Sequence, residues 1–316
     1  MKRVGVVGSM VWDTIHGRDP VQPPVEEWGG ISYALSAFDA ALADDWQVVP
    51  LIKVGRDLAS RARQFLGGLR HVAPGARFIE VPEPNNRVTL RYESADRRCE
   101  LLSGGVPAWT WSELGPLVQD LDALYVNFIS GFEMALPTAQ AMARAFPGPI
   151  YTDLHSLFLG VATDGLRVPR PLPEAPGWFG CSQWIQLNED EFALLGPDPL
   201  AVTASVLSAG CRGLIVTLGP RGAVYFDRPD PALPIATERV SLELAGAATL
   251  AGVTGEGGGD PTGCGDVFGA VTFSHLLRGT PLAAAIREGV RLATRNVSYR
   301  GATGLRDHLL GHLATI

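Results

Sequence analysis

The sequence predicts an α/β fold with a mainly parallel central sheet and a small second β-sheet, on three observations. Short runs of Val, Ile and Leu recur between longer segments of helical spacing, the alternation that βαβ units produce. One segment near residue 90 instead alternates polar and apolar residues strictly, as a strand with one wet face does. A glycine-dense loop near residue 260 runs into an almost wholly apolar segment, which reads as a helix buried in the core. The 316 residues are 46% hydrophobic and 19% charged, enough apolar material for one large α/β core, and we read them as a single domain.

Taken in order, buried strands are expected at Val4–Val7, Val48–Val54, Ala123–Ile129, Ile150–Thr152, Trp184–Leu187 and Leu214–Leu218. Helical patterns fill the gaps at Tyr33–Leu42, Asp57–Leu69, Ser112–Leu121, Pro137–Ala145 and Pro199–Ala209. The alternating run Arg87–Glu93, with Arg77–Val81 before it and Cys99–Leu102 after it, reads as a flap spanning about residues 75–105. An ordinary edge hairpin would give the same pattern. The run Val168–Pro176 holds four prolines and reads as a loop, because proline neither donates to a ladder nor continues a helix. A last helix is expected from Pro281 to about Arg300, with Thr280 as its cap and Gly301 as its stop.

Charge and cysteine content narrow the function. A formal net charge of −7 offers no basic field for a nucleic-acid backbone or an anionic membrane, so the expected partner is a small molecule. The four cysteines, Cys99, Cys181, Cys211 and Cys264, are scattered without a CxxC pair, which fits reduced thiols in a cytoplasmic protein. The amino-terminal apolar run is short and soon broken by Gly8 and Asp13, unlike a signal segment. No apolar stretch is long enough to span a bilayer.

The residues most suited to chemistry are Gly257-Gly258-Gly259-Asp260-Pro261-Thr262-Gly263-Cys264-Gly265-Asp266 and the helix expected from Asp266 to about Leu277. A helix amino-terminus presents backbone N–H groups, and the small residues Gly263, Cys264 and Gly265 let an anion approach them. Asp266 at that lip can accept the proton of an incoming hydroxyl while the same N–H groups disperse charge on a phosphoryl group. On glycine content alone, an aspartate that caps a helix would look the same.

Other stretches change that weighting. DPTGCGDVFGA resembles the carboxy-terminal signature of the PfkB, or ribokinase-like, carbohydrate kinases, and further motifs follow the family's order along the whole chain. The resemblance implies a three-layer α/β/α ribokinase-like fold with a β lid drawn from roughly residues 10–30 and 75–105. It implies an ATP-dependent kinase that phosphorylates a hydroxyl of a sugar-like or nucleoside-like substrate, with Asp266 as base. Gly8-Ser9-Met10-Val11-Trp12-Asp13 resembles the first strand, whose aspartate binds substrate hydroxyls, and Gly29-Gly30 before a helix resembles the di-glycine substrate motif. Val54-Gly55-Arg56-Asp57 resembles the V-G-x-D turn. Thr217, Gly219 and Gly222 resemble the T-x-G-x-x-G nucleotide turn, and Asn296 falls where the family has a residue beside adenine. Asn188 and Glu191 resemble the N-x-x-E motif that tunes a Mg2+ site. Asp260 matches an aspartate that, in some members, helps hold a monovalent cation such as K+.

Local explanations stand beside several of these. Asp13 could simply form a turn, Asn188 could cap a helix with a solvated acidic face after it, and Thr217–Gly222 could be a plain strand turn. Two departures from the family bear on the acceptor and the loop. The asparagine that follows the di-glycine in many sugar kinases is absent here, where Ala34 stands, so Tyr33 or Ser32 is the candidate substitute. The lead-in Gly246–Gly259 is small and glycine-rich, where the family has a valine-rich strand, and suggests a more mobile loop. A sheet edge exposed on the lid would be a natural homodimer contact. Two rivals complete the reading: a non-catalytic sugar or nucleotide sensor on the same fold, and a nicotinamide-dependent oxidoreductase. The loop GVVGSMVWD lacks the third glycine of the dinucleotide fingerprint, which counts against the second.

Overall fold

In a computed structural model of the chain, the structure describes residues 1–16, 23–92, 98–230, 232–241 and 260–313. The glycine-rich lead-in 246–259, Glu93 of the alternating run and part of the first lid segment lie outside the described residues.

The chain opens with β1 (Lys2–Val7), β2 (Met10–His16), β3 (Val25–Gly30), helix α1 (Ile31–Ala41), β4 (Trp46–Leu51), β5 (Lys53–Gly55) and α2 (Ala59–Gly67). It continues through β6 (Ile79–Val81), β7 (Arg87–Tyr92), β8 (Arg98–Ser103), α3 (Trp111–Val118), β9 (Ala123–Asn127), α4 (Leu136–Ala145) and β10 (Ile150–Asp153). Next come β11 (Leu159–Val161), β12 (Arg167–Pro169), α5 (Ala175–Phe179), β13 (Trp184–Asn188), α6 (Glu189–Leu195) and α7 (Pro199–Ser208). Last are β14 (Gly213–Thr217), β15 (Ala223–Asp227), β16 (Ala236–Val240), α8 (Cys264–Leu277), α9 (Leu282–Asn296) and α10 (Leu305–Leu310).

Eight strands form the central sheet in the order β16-β15-β14-β13-β10-β9-β1-β4. From β14 to β4 every pairing is parallel, and β15 and β16 add antiparallel at one edge. Alternate residues feed two apolar layers. Tyr125, Tyr151 and Trp184 join α1, α8 and α9 on one face, while Leu124, Val126, Ile150 and Ile185 join α3 to α7 on the other. This is the expected three-layer arrangement, with both faces of a parallel sheet covered.

A separate four-stranded sheet runs β3-β2-β7-β8, with β2 and β7 parallel and the outer pairs antiparallel. The alternating run is thus a strand of the small sheet, but Arg77–Val81 is not. Its Ile79–Val81 pairs in parallel with β5, because the expected strand Val48–Val54 breaks after Leu51 and redirects its second part. Pro50 sits in β4, the edge strand of the large sheet, where a missing N–H leaves no ladder bond unmade.

The proline-rich run is also more ordered than a loop. Arg167–Pro169 pairs with Leu159–Val161, and Ala175–Phe179 is helical. Through Leu102 N–H to Gly165 O, 2.8 Å, and a bridge between Leu101 and Leu166, this hairpin docks on the β8 edge of the small sheet. The last long helix ends at Asn296, short of the expected Arg300, and the chain then turns through residues 297–300. No helix among the described residues is long and apolar enough to cross a membrane.

Candidate active site at the carboxyl edge of the sheet

Helix α8 is mounted on the sheet by aromatic contact. Tyr125 and Tyr151 stack 5.6 Å apart, and Phe273 of the helix lies 5.4 Å from Tyr151 and 6.3 Å from Tyr125. The helix begins at Cys264, two residues before the expected Asp266, because Gly263 takes a left-handed φ of 78° and turns the chain in. Only glycine fits there, since a Cβ would fall 2.3 Å from the Tyr33 ring. Asp266 therefore lies inside the first turn, where the helix dipole favours a carboxylate. The Cys264 N–H is engaged by Pro261 O at 3.1 Å. The loop is braced from behind by Asn296, which is fully buried and donates to Thr262 O at 2.9 Å and to Cys264 Sγ at 3.4 Å.

Asp13 reaches the same region from β2. It is buried, and a Cβ on Gly29 would lie 1.8 Å from its Oδ2, so the first glycine of the pair leaves room for this carboxylate. Gly30 takes a φ of 59° and caps α1 beside Ser9 O. Tyr33 is buried between these parts. Burial, then the charges of Asp13, Asp260 and Asp266, push its pKa far above the ordinary tyrosine value. All three carboxylates thus lie within electrostatic reach of one neutral phenol, whose ring packs beside Gly263 at the mouth of α8.

Thr217 ends β14, and Gly219, exposed, and Gly222, buried, take φ values of 57° and 87° in the turn that follows. A Cβ on Gly222 would meet Val240 O at 2.2 Å. Arg221 of the turn pairs with Glu189, the first residue of α6. Asn188 caps that helix in a reciprocal box with Glu191: Glu191 N–H donates to Asn188 Oδ1 at 2.9 Å and Asn188 N–H to Glu191 Oε2 at 2.8 Å. Glu191 is buried, not solvated, because His155 Nδ1 meets its Oε1 at 2.6 Å.

Four functional candidates escaped the sequence reading: Asn127, Asp153, His155 and Gln186. The first, second and fourth sit in register on neighbouring strands, Asn127 opposite Asp153 and Asp153 opposite Gln186. Asn127 Nδ2 donates to Asp266 Oδ1 at 2.6 Å, and Gln186 Nε2 donates to Asp153 Oδ2 at 2.7 Å and Gly265 O at 3.0 Å. Their signal in the sequence was a polar residue at the carboxyl end of an apolar parallel strand, where α/β sheets bind ligands.

Burial pushes Asp153 up to about 8, opposed by His155 and reinforced by Glu191 and Asp266. Burial works against protonation of His155, but the charge and hydrogen bond of Glu191, with Asp153, carry it up to about 9. Burial thus favours the neutral form of Asp153, while the Glu191 contact favours the protonated form of His155.

The residues bear differently on the two ions that the resemblance implies. Both Glu191 oxygens are committed to Asn188 and His155, and no group of three or more His, Cys, Asp or Glu suited to a metal occurs among the described residues. Asn188 and Glu191 accordingly fit a magnesium ion through its water shell, the usual mode for an ion that keeps its waters and binds phosphates. Asp260 instead has a cation from the chain: its Oδ2 lies 3.4 Å from Arg300 Nε, and its Oδ1 accepts Thr262 N–H at 2.9 Å. That pairing fits a resident potassium ion poorly.

Comparison with known proteins bears on the fold. The family model described as pfkB family carbohydrate kinase matches residues 164–308, the stretch that holds Asn188, Glu191, the Thr217 turn and Asp266. Among solved structures, a Burkholderia thailandensis nucleoside kinase in complex with inosine superposes with a TM-score of 0.70 at 16% identity, covering 98% of this chain and 97% of that one. Ribokinase from Thermotoga maritima gives 0.67 at 16% identity over 98% and 99%. A pyrophosphate-dependent kinase in the ribokinase family, complexed with a pyrophosphate analog and myo-inositol, gives 0.69 at 15% identity over 98% and 99%. No curated protein matches the sequence significantly. The chain has a ribokinase-like α/β fold. Its carboxy-terminal part carries the pfkB carbohydrate-kinase pattern, and its structural neighbours are ribokinases and nucleoside kinases.

Proposed function

We propose that the protein is an ATP-dependent kinase that transfers the γ-phosphoryl group to a hydroxyl of a small sugar-like or nucleoside-like acceptor. The observation that carries this reading is the carboxylate of Asp266, set in the first turn of a buried helix at the carboxyl edge of the sheet and, with Asp13, within electrostatic reach of the buried Tyr33. Asp13 binds acceptor hydroxyls, which a carboxylate does well only when water is shut out. The four-stranded sheet acts as the lid that shuts it out, over Gly29 and Gly30. Asp266 accepts the hydroxyl proton as the oxygen attacks the γ-phosphorus, and the N–H groups of Gly263 and Gly265 face the transferring group, that of Cys264 being taken by Pro261 O.

The donor lies along Thr217, Gly219 and Gly222. Magnesium, when bound, neutralises charge on the donor phosphates, and Asn188 and Glu191 would hold its waters. Tyr33 and Asn296, both buried, shape and brace the loop from outside the reacting centre. Arg300 takes the place of a monovalent cation at Asp260.

The test is purified protein with Mg2+ and either ATP or pyrophosphate, against a panel of sugars, nucleosides and inositols, read by release of ADP or phosphate. Acceptor-dependent release with ATP that disappears in Asp266→Asn supports the reading. Binding of an acceptor with no turnover on either donor would replace it with a sensor.

A further inference from the structure

The contact between Asn127 and Asp266 joins residues 139 apart in sequence, and its chemistry is lopsided. Asn127 is fully buried at the end of β9, and its Nδ2 faces both Asp266 Oδ1, at 2.6 Å, and the Tyr125 hydroxyl, at 3.5 Å. Its Oδ1 has no hydrogen-bond partner among the described residues. A flipped amide would let Tyr125 donate to Oδ1, but it would aim the Asn127 oxygen at the Asp266 carboxylate. A buried acceptor left without a partner is rare and needs a cause. Here the cause is the negative charge of Asp266, which draws the N–H side of the amide towards itself.

The neighbouring strands extend this support. Gln186 holds Gly265 O and Asp153, and Tyr151 donates to Gln186 Oε1 at 2.8 Å. A Cβ on Gly269 would strike Gln186 Oε1 and the Tyr125 hydroxyl, each at 2.5 Å, so the helix can sit this low on the row only with glycine there. Asp153 meets Tyr125 and Tyr151 within the sheet, Gln186 on β13, His155 after its own strand, Glu191 from α6 and Asp266 from α8. Burial keeps it a neutral acid at pH 7, so Asp266 has no second anion in the row at that pH.

Resting on the kinase reading, we propose that Asn127 is the positioning residue for the base: one N–H, held by a row of Asn127, Asp153 and Gln186 across three strands, aims the Asp266 carboxylate and keeps it ionised. The row is set by the sheet and is in place before any substrate arrives.

The test starts from the free protein. Aspartate labelled with 13C at Cγ is titrated in the wild type, with Asp266→Asn identifying the Asp266 signal. In Asn127→Leu the Asp266 pKa should rise by about one unit, since loss of a hydrogen bond to the charged form disfavours it. In the isosteric Asn127→Asp it should rise further through like charge. With Mg-ATP and whichever of ribose, inosine or myo-inositol the wild type turns over, kcat in Asn127→Leu should fall about 30-fold while both KM values stay within about threefold. An Asp266 pKa unmoved in both variants overturns the positioning role, and should Asn127→Leu fail to fold, an unmoved pKa in Asn127→Asp overturns it alone. If Asp266→Asn itself retains turnover, the base assignment fails and the positioning role falls with it. If only the Asn127 variants behave as wild type, the kinase reading stands and this inference alone is lost.

Discussion

The two aspartates of the candidate site are held by very different kinds of structure. Asp266 rests on the parallel sheet, where three strands in register, stacked aromatics and a buried helix fix its place. Asp13 rests on a separate four-stranded sheet, whose Met10, Val11, Trp12 and Trp28 share the apolar layer of α1 and α8 and which is tied down further by polar contacts. Asn85, at the root, is fully buried: its Oδ1 accepts Gly55 N–H at 3.0 Å, its Nδ2 donates to Met10 O at 3.0 Å, and its N–H donates to Asp57 Oδ1 at 2.9 Å. Asp57 also pairs with Arg87 at 2.7 Å. Partial burial would raise Asp57, but the hydrogen bonds from Arg87 and Asn85 hold it below the ordinary value. The V-G-x-D turn thus anchors the small sheet. On the proposed reading the base stands on the parallel core and the acceptor contact on the separate sheet.

This contrast orders the expected effects. Asp266→Asn should lower kcat on the order of 10³-fold, with the melting temperature and the ATP Kd nearly unchanged, as for loss of a general base. Stopped assays alongside calorimetric titration of ATP check both halves. Asp13→Ala should lower kcat/KM for the acceptor about 10²-fold, mostly through KM, the scale of lost hydrogen bonds to a charged group. Its ATP KM should not move, and a fall in kcat as deep as that of Asp266→Asn would erase the division between the two regions. Gly29→Ala should weaken the acceptor in the same sense, because its Cβ would meet the Asp13 carboxylate, and it should leave the Asp266 pKa alone.

A smaller effect sharpens the sheet side through pH. Folded Asp153 stays protonated up to about 8, while in the unfolded chain it ionises near the ordinary carboxylate value of about 4. Between those limits the unfolded chain binds fewer protons, so this group makes stability fall as pH rises. Asp153→Asn should flatten the decline in melting temperature from pH 5 to pH 8. It should also relieve an alkaline fall in kcat above about pH 8, raising the rate at pH 9 by about threefold, since the wild type there gains a second anion beside Asp266. Smallest is Arg300→Gln. The wild-type rate should change less than about twofold when potassium replaces tetramethylammonium, and the variant should acquire a potassium response, because Asp260 then loses the Arg300 guanidinium.

Much of this architecture was legible from local pattern. The parallel strands were found by their apolar runs, the lid strand Arg87–Tyr92 by its strict alternation, and the Asp266 loop by glycines running into an apolar helix. The resemblance placed Asp13, Gly29, Gly30, Asn188 and Glu191 in order. The misreadings fell where pairing partners decide. Nothing in Arg77–Val81 says that it will join β5 in place of the lid, and nothing in Val168–Pro176 says that its first residues will form a hairpin against β8.

The sequence by itself determined which segments would be buried strand, buried helix or turn, because period, glycine and proline act over a few residues. It also determined that a carboxylate would stand at the mouth of a buried helix. Only the tertiary structure decided what surrounds that carboxylate. Asn127, Asp153 and Gln186 are far apart in the chain and become one row only through the register of β9, β10 and β13, and Arg300 becomes the partner of Asp260 only when the chain turns back after α9. Hydrogen bonds and charge pairs of this kind act over a few ångströms of space, and sequence separation carries no trace of them.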